Sequence, residues 1–310
     1  MLNRRHLRVK VLQSLYAYYQ SHNEDLVTGE KELMLSIEKI YDLYLHQLLL
    51  LAELADEEER IIEENLNKHL PTSEDLNPNR RFAENECLKR LRNNEKLLKD
   101  ARERHVNWEG NKDLVRKIAH SLRQQQFYHN HLESVETGFD DDARFVIRVL
   151  KKTIMPFENL HAFYEEKSIY WLVDWELVNK MVIKTLKNAT ESGGNIQIME
   201  LFKDPSDKVF TKELFKRTIL NHEESDKIIS TKTKNWDVER IALMDMIIMQ
   251  MALTEILKFP EIPVKVSLNE YIELSKMYST PKSKVFVNGV LDKLVEDLVR
   301  DKKISGHMLR

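Results

Sequence analysis

The chain has 310 residues, of which 32% are charged, and its net charge is −3. That length can bury a large core as one domain or two. The near-neutral balance excludes nucleic-acid binding by bulk charge, so any such site must come from local clustering. Seven glycines and seven prolines are about a third and a half of ordinary usage, which argues against a turn-rich sheet protein and for long helices with few loops. The single Cys87 excludes an internal disulfide and fits a reducing cytoplasm. On a charged helical stretch it reads as a passenger, not a nucleophile.

Residues 3–20 read as the first helix. Asn3 is placed to cap it, and Leu7, Val11, Leu12, Leu15, Tyr18 and Tyr19 share one face. Arg4, Arg5, Arg8 and Lys10 crowd its first two turns, with no acid before Glu24. Cations there oppose the helix dipole at about 0.3–1 kcal/mol each, so they are expected to serve an external anion. Arg-rich, acid-free composition also resembles a mitochondrial presequence. No secretory h-region forms, because Lys10 and Gln13 interrupt the apolar run.

From Glu24 to about Glu165 charged helical segments follow one another, with breaks at Pro71, Pro78, Gly110, Gly138 and Pro156. Seven acids and one arginine fill residues 53–64, and nine bases with five acids fill residues 80–104. The two are expected to pair with each other; the alternative is an auxiliary RNA surface on the basic stretch. Asp140, Asp141 and Asp142 fit the start of a helix better than a cation site. The apolar run 48–51 is bracketed by Asp42, His46 and Glu53, so it reads as a core patch and not a membrane span.

Residues 168–190 predict another helix, with Ile169, Leu172, Val173, Leu177, Met181, Val182 and Leu186 inward and Gly193-Gly194 as its break. Residues 210–229 predict the next. Residues 236–257 follow, apolar almost all round with a thin polar edge of Arg240, Gln250 and Glu255. Such a helix is expected at the centre of the core. Pro260 and Pro263 stop it. Ser267-x-x-Glu270 has capping-box spacing for a short helix to Tyr278. Ser283 is expected to cap the last helix, with Val287, Val290, Leu291, Leu294 and Leu298 inward. Gly289 inside that helix predicts close approach by another backbone, or less commonly by a ligand.

No zinc, P-loop, dinucleotide or nucleophile-elbow motif occurs, so no cofactor, no metal and no catalysis are expected. What stands out is cations near rings. Lys276, Lys282 and Lys284 surround a turn flanked by Tyr278 and Phe286. Cations and rings suit single-stranded nucleic acid, where stacking contributes about 1–3 kcal/mol per base. Ordinary solubility and a core ring explain the same residues more plainly.

The run IPVKVSLNEYIELSKMYSTPKSKVFVNGVLDKL, after the apolar helix ending MALTEIL, resembles the C-terminal half of the NusB family of bacterial transcription antitermination factors. RRHLRVKVLQSLY resembles the family's Arg-rich first helix, departing at Leu7 and Val9. The likeness makes the basic start part of the mature fold and not a presequence. It implies an all-α fold of two packed helical subdomains, formed by residues 1–23 and 166–310, with residues 24–165 as a helical insertion of unknown role. It implies a cytoplasmic, non-enzymatic factor that binds boxA-type single-stranded RNA of rRNA transcripts, pairs with ribosomal protein NusE and joins the antitermination complex on RNA polymerase. On that reading Arg4, Arg5, Arg8, Lys10, Lys282 and Lys284 meet phosphates, Phe286 or Tyr278 stacks a base and Asn288 bonds a base edge. The alternatives are a helical protein–protein scaffold, or the non-catalytic RNA-binding domain of an rRNA methyltransferase.

Overall fold

The computed structural model describes residues 1–21, 25–233 and 241–304. The described residues form α1 (Arg4–Gln20), α2 (Leu26–Leu66), α3 (Ser73–Leu76), α4 (Glu86–Arg92), α5 (Glu95–Glu103), α6 (Lys112–Arg123), α7 (Gln126–Glu133), α8 (Phe139–Val149), α9 (Glu158–Lys167), α10 (Ile169–Glu191), α11 (Pro205–Leu220), α12 (His222–Lys232), α13 (Leu243–Lys258), α14 (Val264–Tyr278) and α15 (Pro281–Arg300). Among them there is no strand; Leu2 and Phe202 make one isolated parallel bridge. The fold is all-α, as the scarcity of Gly and Pro predicts. Two compact units form, Met1–Ile37 with Leu201–Arg310, and Glu38–Glu200. These packing units do not coincide with the expected division at 23 and 166. Residues 25–37 pack in the first unit, and α10 packs in the second.

In the first unit α13 is the hub. It packs against α1, α11, α12, α14 and α15, and Ile247, Ile248, Met249, Met251, Ala252, Leu253 and Ile256 are all buried. The expected first residues of that helix, 236–240, lie outside the described residues, Arg240 among them. The polar edge is not solvated. Gln250 and Glu255 are buried, because Gln250 donates to Asp226 Oδ1 at 2.7 Å and Glu255 accepts from Arg8. Two capping expectations shift by a turn. Helix α14 starts at Val264 after Pro263, so Ser267 and Glu270 sit inside it. Thr280, not Ser283, caps α15, accepting from the Ser283 N–H at 3.3 Å with Pro281 at the first helical position.

Gly29 marks a close approach. A Cβ there would lie 2.9 Å from Tyr18 Cδ2 and 3.0 Å from Phe215 Cζ, two rings already in edge-to-face contact. Gly29→Ala should therefore lower stability by about 1–3 kcal/mol, although Ala favours a helix by about 1 kcal/mol. A thermal melt of the variant at or above the parent would show that the rings yield freely.

In the second unit the acids of α2 pair with bases that follow it. Arg92 meets Asp56 at 2.5 Å and Arg116 meets Glu64, while Arg80 meets Glu59 and Lys112 meets Glu53. The basic stretch is thus spent partly on α2, as the pairing expectation has it. Asp140, Asp141 and Asp142 do open α8, and Asp142 Oδ2 also accepts the Glu86 N–H at 2.7 Å at the start of α4. Helix α10 keeps its expected face in its second half, where Val182 and Leu186 are buried, and departs from it in its first turns. Ile169, Leu172 and Val173 are exposed, and the buried face includes Asn179 and Thr185. These bond to Gln47 at 3.1 Å and Tyr44 at 2.7 Å of α2.

Candidate nucleic-acid interface

The basic start of α1 is pinned before any ligand arrives. Asn3 and His6 cap it reciprocally, Asn3 Oδ1 accepting the His6 N–H at 3.0 Å and His6 Nδ1 accepting the Asn3 N–H at 3.3 Å. Arg4 Nε donates to Asp207 of α11 at 3.2 Å. Arg5 makes a fork to Glu270 of α14, at 2.8 and 2.6 Å. The guanidinium groups of Arg4 and Arg8 stand 4.9 and 5.3 Å from the Phe210 ring centre. The dipole cost of these cations is offset within the chain by acids far away in sequence.

Arg8 differs from its neighbours. Its side chain is 3% exposed and it forks to Glu255, itself fully buried, with both bonds at 2.7 Å. Ser267 Oγ and Tyr271 OH donate to the same carboxylate at 2.6 and 2.9 Å. Burial is the largest single influence and works against the Arg8 charge, but the Glu255 hydrogen bonds and the electrostatic effects of Tyr271, Glu255 and Glu270 together outweigh it and raise its pKa. Burial first and the Glu255 charge second push Tyr271 well above the usual phenol range. Lys10 is buried too. The expected phosphate contacts of Arg8 and Lys10 therefore fail: both side chains are removed from solvent, and Arg8 is committed to a carboxylate.

What remains open is a shallow groove of about 430 Å³ lined by Asn3, Arg4, Arg5, Glu261, Pro263, Val266 and Glu270, with Arg8 at its floor. Helix α14 carries this face onward. Arg5 meets Glu270, and Gln13 Nε2 donates to Tyr278 OH at 3.3 Å. Both pairs are 265 residues apart, so α1 and α14 run in the same direction and in step. Tyr278 ends α14, and α15 opens three residues later with Lys282 and Lys284 exposed. Neither lysine has an ion pair among the described residues. Lys276, by contrast, pairs with Glu273. The Glu273 carboxylate is held below its ordinary value, first by the Lys276 hydrogen bond and then by the charges of Lys276, Arg5 and Lys284. Arg5 and Lys284 thus bear on one carboxylate of α14, Glu273.

Phe286 is half-buried and Asn288 Nδ2 donates to Asp292 Oδ2 at 3.1 Å. Val285 and Met277, 73% and 61% exposed, are the open apolar side chains beside the lysines. Gly289 meets nothing among the described residues: a Cβ there would point into open space, so no described backbone explains it. Sequence reasoning missed Asp207, Phe210, Glu255 and Glu270. Glu255 carried a signal, since an acid inside an apolar run implies a buried cationic or hydrogen-bonding partner, as for Asp245, which accepts from Ser279. Asp207 and Glu270 carried none.

Residues 167–296 match the NusB family model. A transcription antitermination protein NusB of Salinibacter ruber is 42% identical over 126 residues, covering 38% of this chain and 79% of that protein. One of Geobacter sp. is 33% identical over 138 residues, 44% of this chain and 94% of that protein. One of Natranaerobius thermophilus is 36% identical over 89 residues, 29% of this chain and 64% of that protein. No solved structure matches. With its helical hub, its arginine-rich first helix and relatives that it covers over most of their length, the chain belongs to the NusB family of transcription antitermination factors.

Proposed function

We propose that this chain binds boxA-type single-stranded RNA of rRNA operon transcripts, as a heterodimer with ribosomal protein NusE in the RNA polymerase antitermination complex, without catalysing a reaction. What supports the reading is α14, where Arg5 forks to Glu270 and acts together with Lys284 on Glu273, with the exposed Lys282, Val285 and Met277 close by in sequence. The cations neutralise phosphates, and the open apolar side chains receive unstacked bases. Asn288 lies on the same helix as the lysines, and its bond to Asp292 exchanges for one to a base edge. Residues 1–23 and 166–310 form the antitermination domain on this reading, and residues 24–165 are an insertion within it. A scaffold without RNA affinity is favoured by one observation, that Arg4 and Arg5 already have carboxylate partners.

Four phosphate contacts give a salt slope near −3 for single-stranded RNA. Lys282→Ala with Lys284→Ala should weaken boxA binding and reduce that slope to about −1.4, with helical content unchanged. Fluorescence anisotropy across salt concentrations, with and without NusE, makes the measurement. An affinity that ignores salt, or a double variant that binds as the parent does, returns the scaffold reading.

A further inference from the structure

We propose that the second unit carries a phosphoryl-binding pocket formed by Arg81, His131 and Arg148. It lies in the other packing unit from the α14 face and does not rest on the RNA reading. The residues come from three places: Arg81 from the turn before α4, His131 from α7, and Arg148 from α8. On α8, Asp141, Arg144 and Arg148 follow at spacings of three and four and so stand on one side of the helix. Together these groups line a pocket of about 170 Å³. That is below the roughly 300 Å³ at which pockets begin to hold drug-sized molecules, and it suits one phosphoryl group with the first atoms of its ester.

The charges in the pocket are not balanced. Arg144 pairs with Asp141, and that pair cancels. Arg81 donates to the backbone carbonyls of Ser134 and Glu136, which fix its guanidinium but bring no negative charge. Arg148 is exposed and has no ion pair among the described residues. Glu136, exposed at the rim, is the one remaining acid of the lining. Within the lining, Arg81 and Arg148 therefore face one solvated carboxylate, and outside it Asp142 is also in reach of the Arg81 charge.

His131 is the second observation. Its ring lies flat on Phe145, with centroids 3.6 Å apart and planes 7° from parallel. Its Nε2 is buried and has no hydrogen-bond partner. A buried polar atom left unpaired costs about 1–3 kcal/mol. Burial first, and then the charges of Arg81 and Arg148, lower the His131 pKa to about 4, against a small opposing effect of Asp141. The group that fits is an anionic oxygen. It accepts from Arg148 on the open side of the pocket, compensates guanidinium charge, and by its own charge favours the protonated form of the His131 ring beside it. A cation is repelled by the same field.

The test is an NMR pH titration of the His131 ring in the intact, histidine-labelled chain, with His131→Gln identifying the resonance. Inorganic phosphate is compared with chloride at matched ionic strength. Phosphate should raise the His131 pKa by about one unit or more, a tenfold linkage between proton and anion. Arg148→Ala removes an exposed side chain without an ion pair, so the fold is unaffected, and phosphate affinity should fall at least tenfold. The proposal is overturned if phosphate and chloride give the same pKa, or if Arg148→Ala binds phosphate as the parent does. A short oligoribonucleotide without terminal phosphates supplies the last arm. A shift at lower concentration than inorganic phosphate identifies an RNA backbone as the source, and a shift with inorganic phosphate alone identifies a free phosphate ester.

Discussion

Arg8→Ala should cost about 3–5 kcal/mol of unfolding free energy, the range for removing one partner of a buried ion pair. The variant leaves the Glu255 carboxylate in the core with only the Ser267 and Tyr271 hydroxyls to hold it. Arg8→Lys should recover part of the loss, because an ammonium keeps the charge but cannot reproduce the two-bond fork. Arg8→Met combined with Glu255→Leu should also recover part, since it removes both charges, though it leaves the two hydroxyls without their acceptor. Guanidinium unfolding curves at neutral pH measure all three. A loss below about 1 kcal/mol for Arg8→Ala would place the pair among solvated surface bridges and would contradict its burial. The expectation also governs how RNA-binding variants are read. Loss of binding in an Arg8 variant reports on folding, whereas loss in a Lys282 or Lys284 variant reports on contact with RNA.

Acid should weaken the second unit through His46. The imidazole is buried, 4.1 Å from the Trp108 ring centre and 3.1 Å from Tyr164 OH by its Nδ1. Burial, with a smaller effect of Lys167, lowers its pKa to about 3, against a backbone hydrogen bond at Asn107. In the unfolded chain histidine titrates at about 6.5. Between these values the unfolded state binds a proton that the folded state refuses. Stability is therefore complete above about pH 6.5 and is lost as the pH falls toward 3, at up to about 1.4 kcal/mol per pH unit. His131 acts in the same direction down to about pH 4. His46→Phe should cost about 1 kcal/mol at pH 7 for the lost hydrogen bond, and its stability should fall less steeply between pH 6 and 4. Denaturant midpoints at several pH values decide this. Equal slopes for parent and variant would mean that the acid sensitivity lies elsewhere.

Composition and periodicity located α1, α10, α13 and α15, because apolar spacing follows from one chain segment alone, but they did not delimit α2 and read α11 and α12 as one helix over residues 210–229. The apolar run that became α13 is buried against five neighbours, and the inward residues of α15, from Val287 to Leu298, are buried as their spacing predicts. The expected face of α10 held at Val182 and Leu186 but missed the polar residues that share it. Asn179 and Thr185 are buried because Gln47 and Tyr44 bond to them, and a rule that counts apolar residues cannot see a polar pair whose partner is over a hundred residues away. The same blindness affected the caps. Ser267 and Glu270 have capping spacing, yet each is engaged by a residue from elsewhere, Glu255 and Arg5.

By itself the sequence determined the helical class, the apolar hub, the family likeness and the presence of two cation clusters, since each depends on residue types at short spacing. Only the tertiary structure decided which cations are free. Asp207, Glu255 and Glu270 come to α1 from beyond residue 200, and a charge is settled by its nearest neighbours in space, not along the chain. Packing thus turned Arg8 into a core residue, left Lys282 and Lys284 at the surface, and brought Arg5 and Lys284 to bear on the same carboxylate, Glu273.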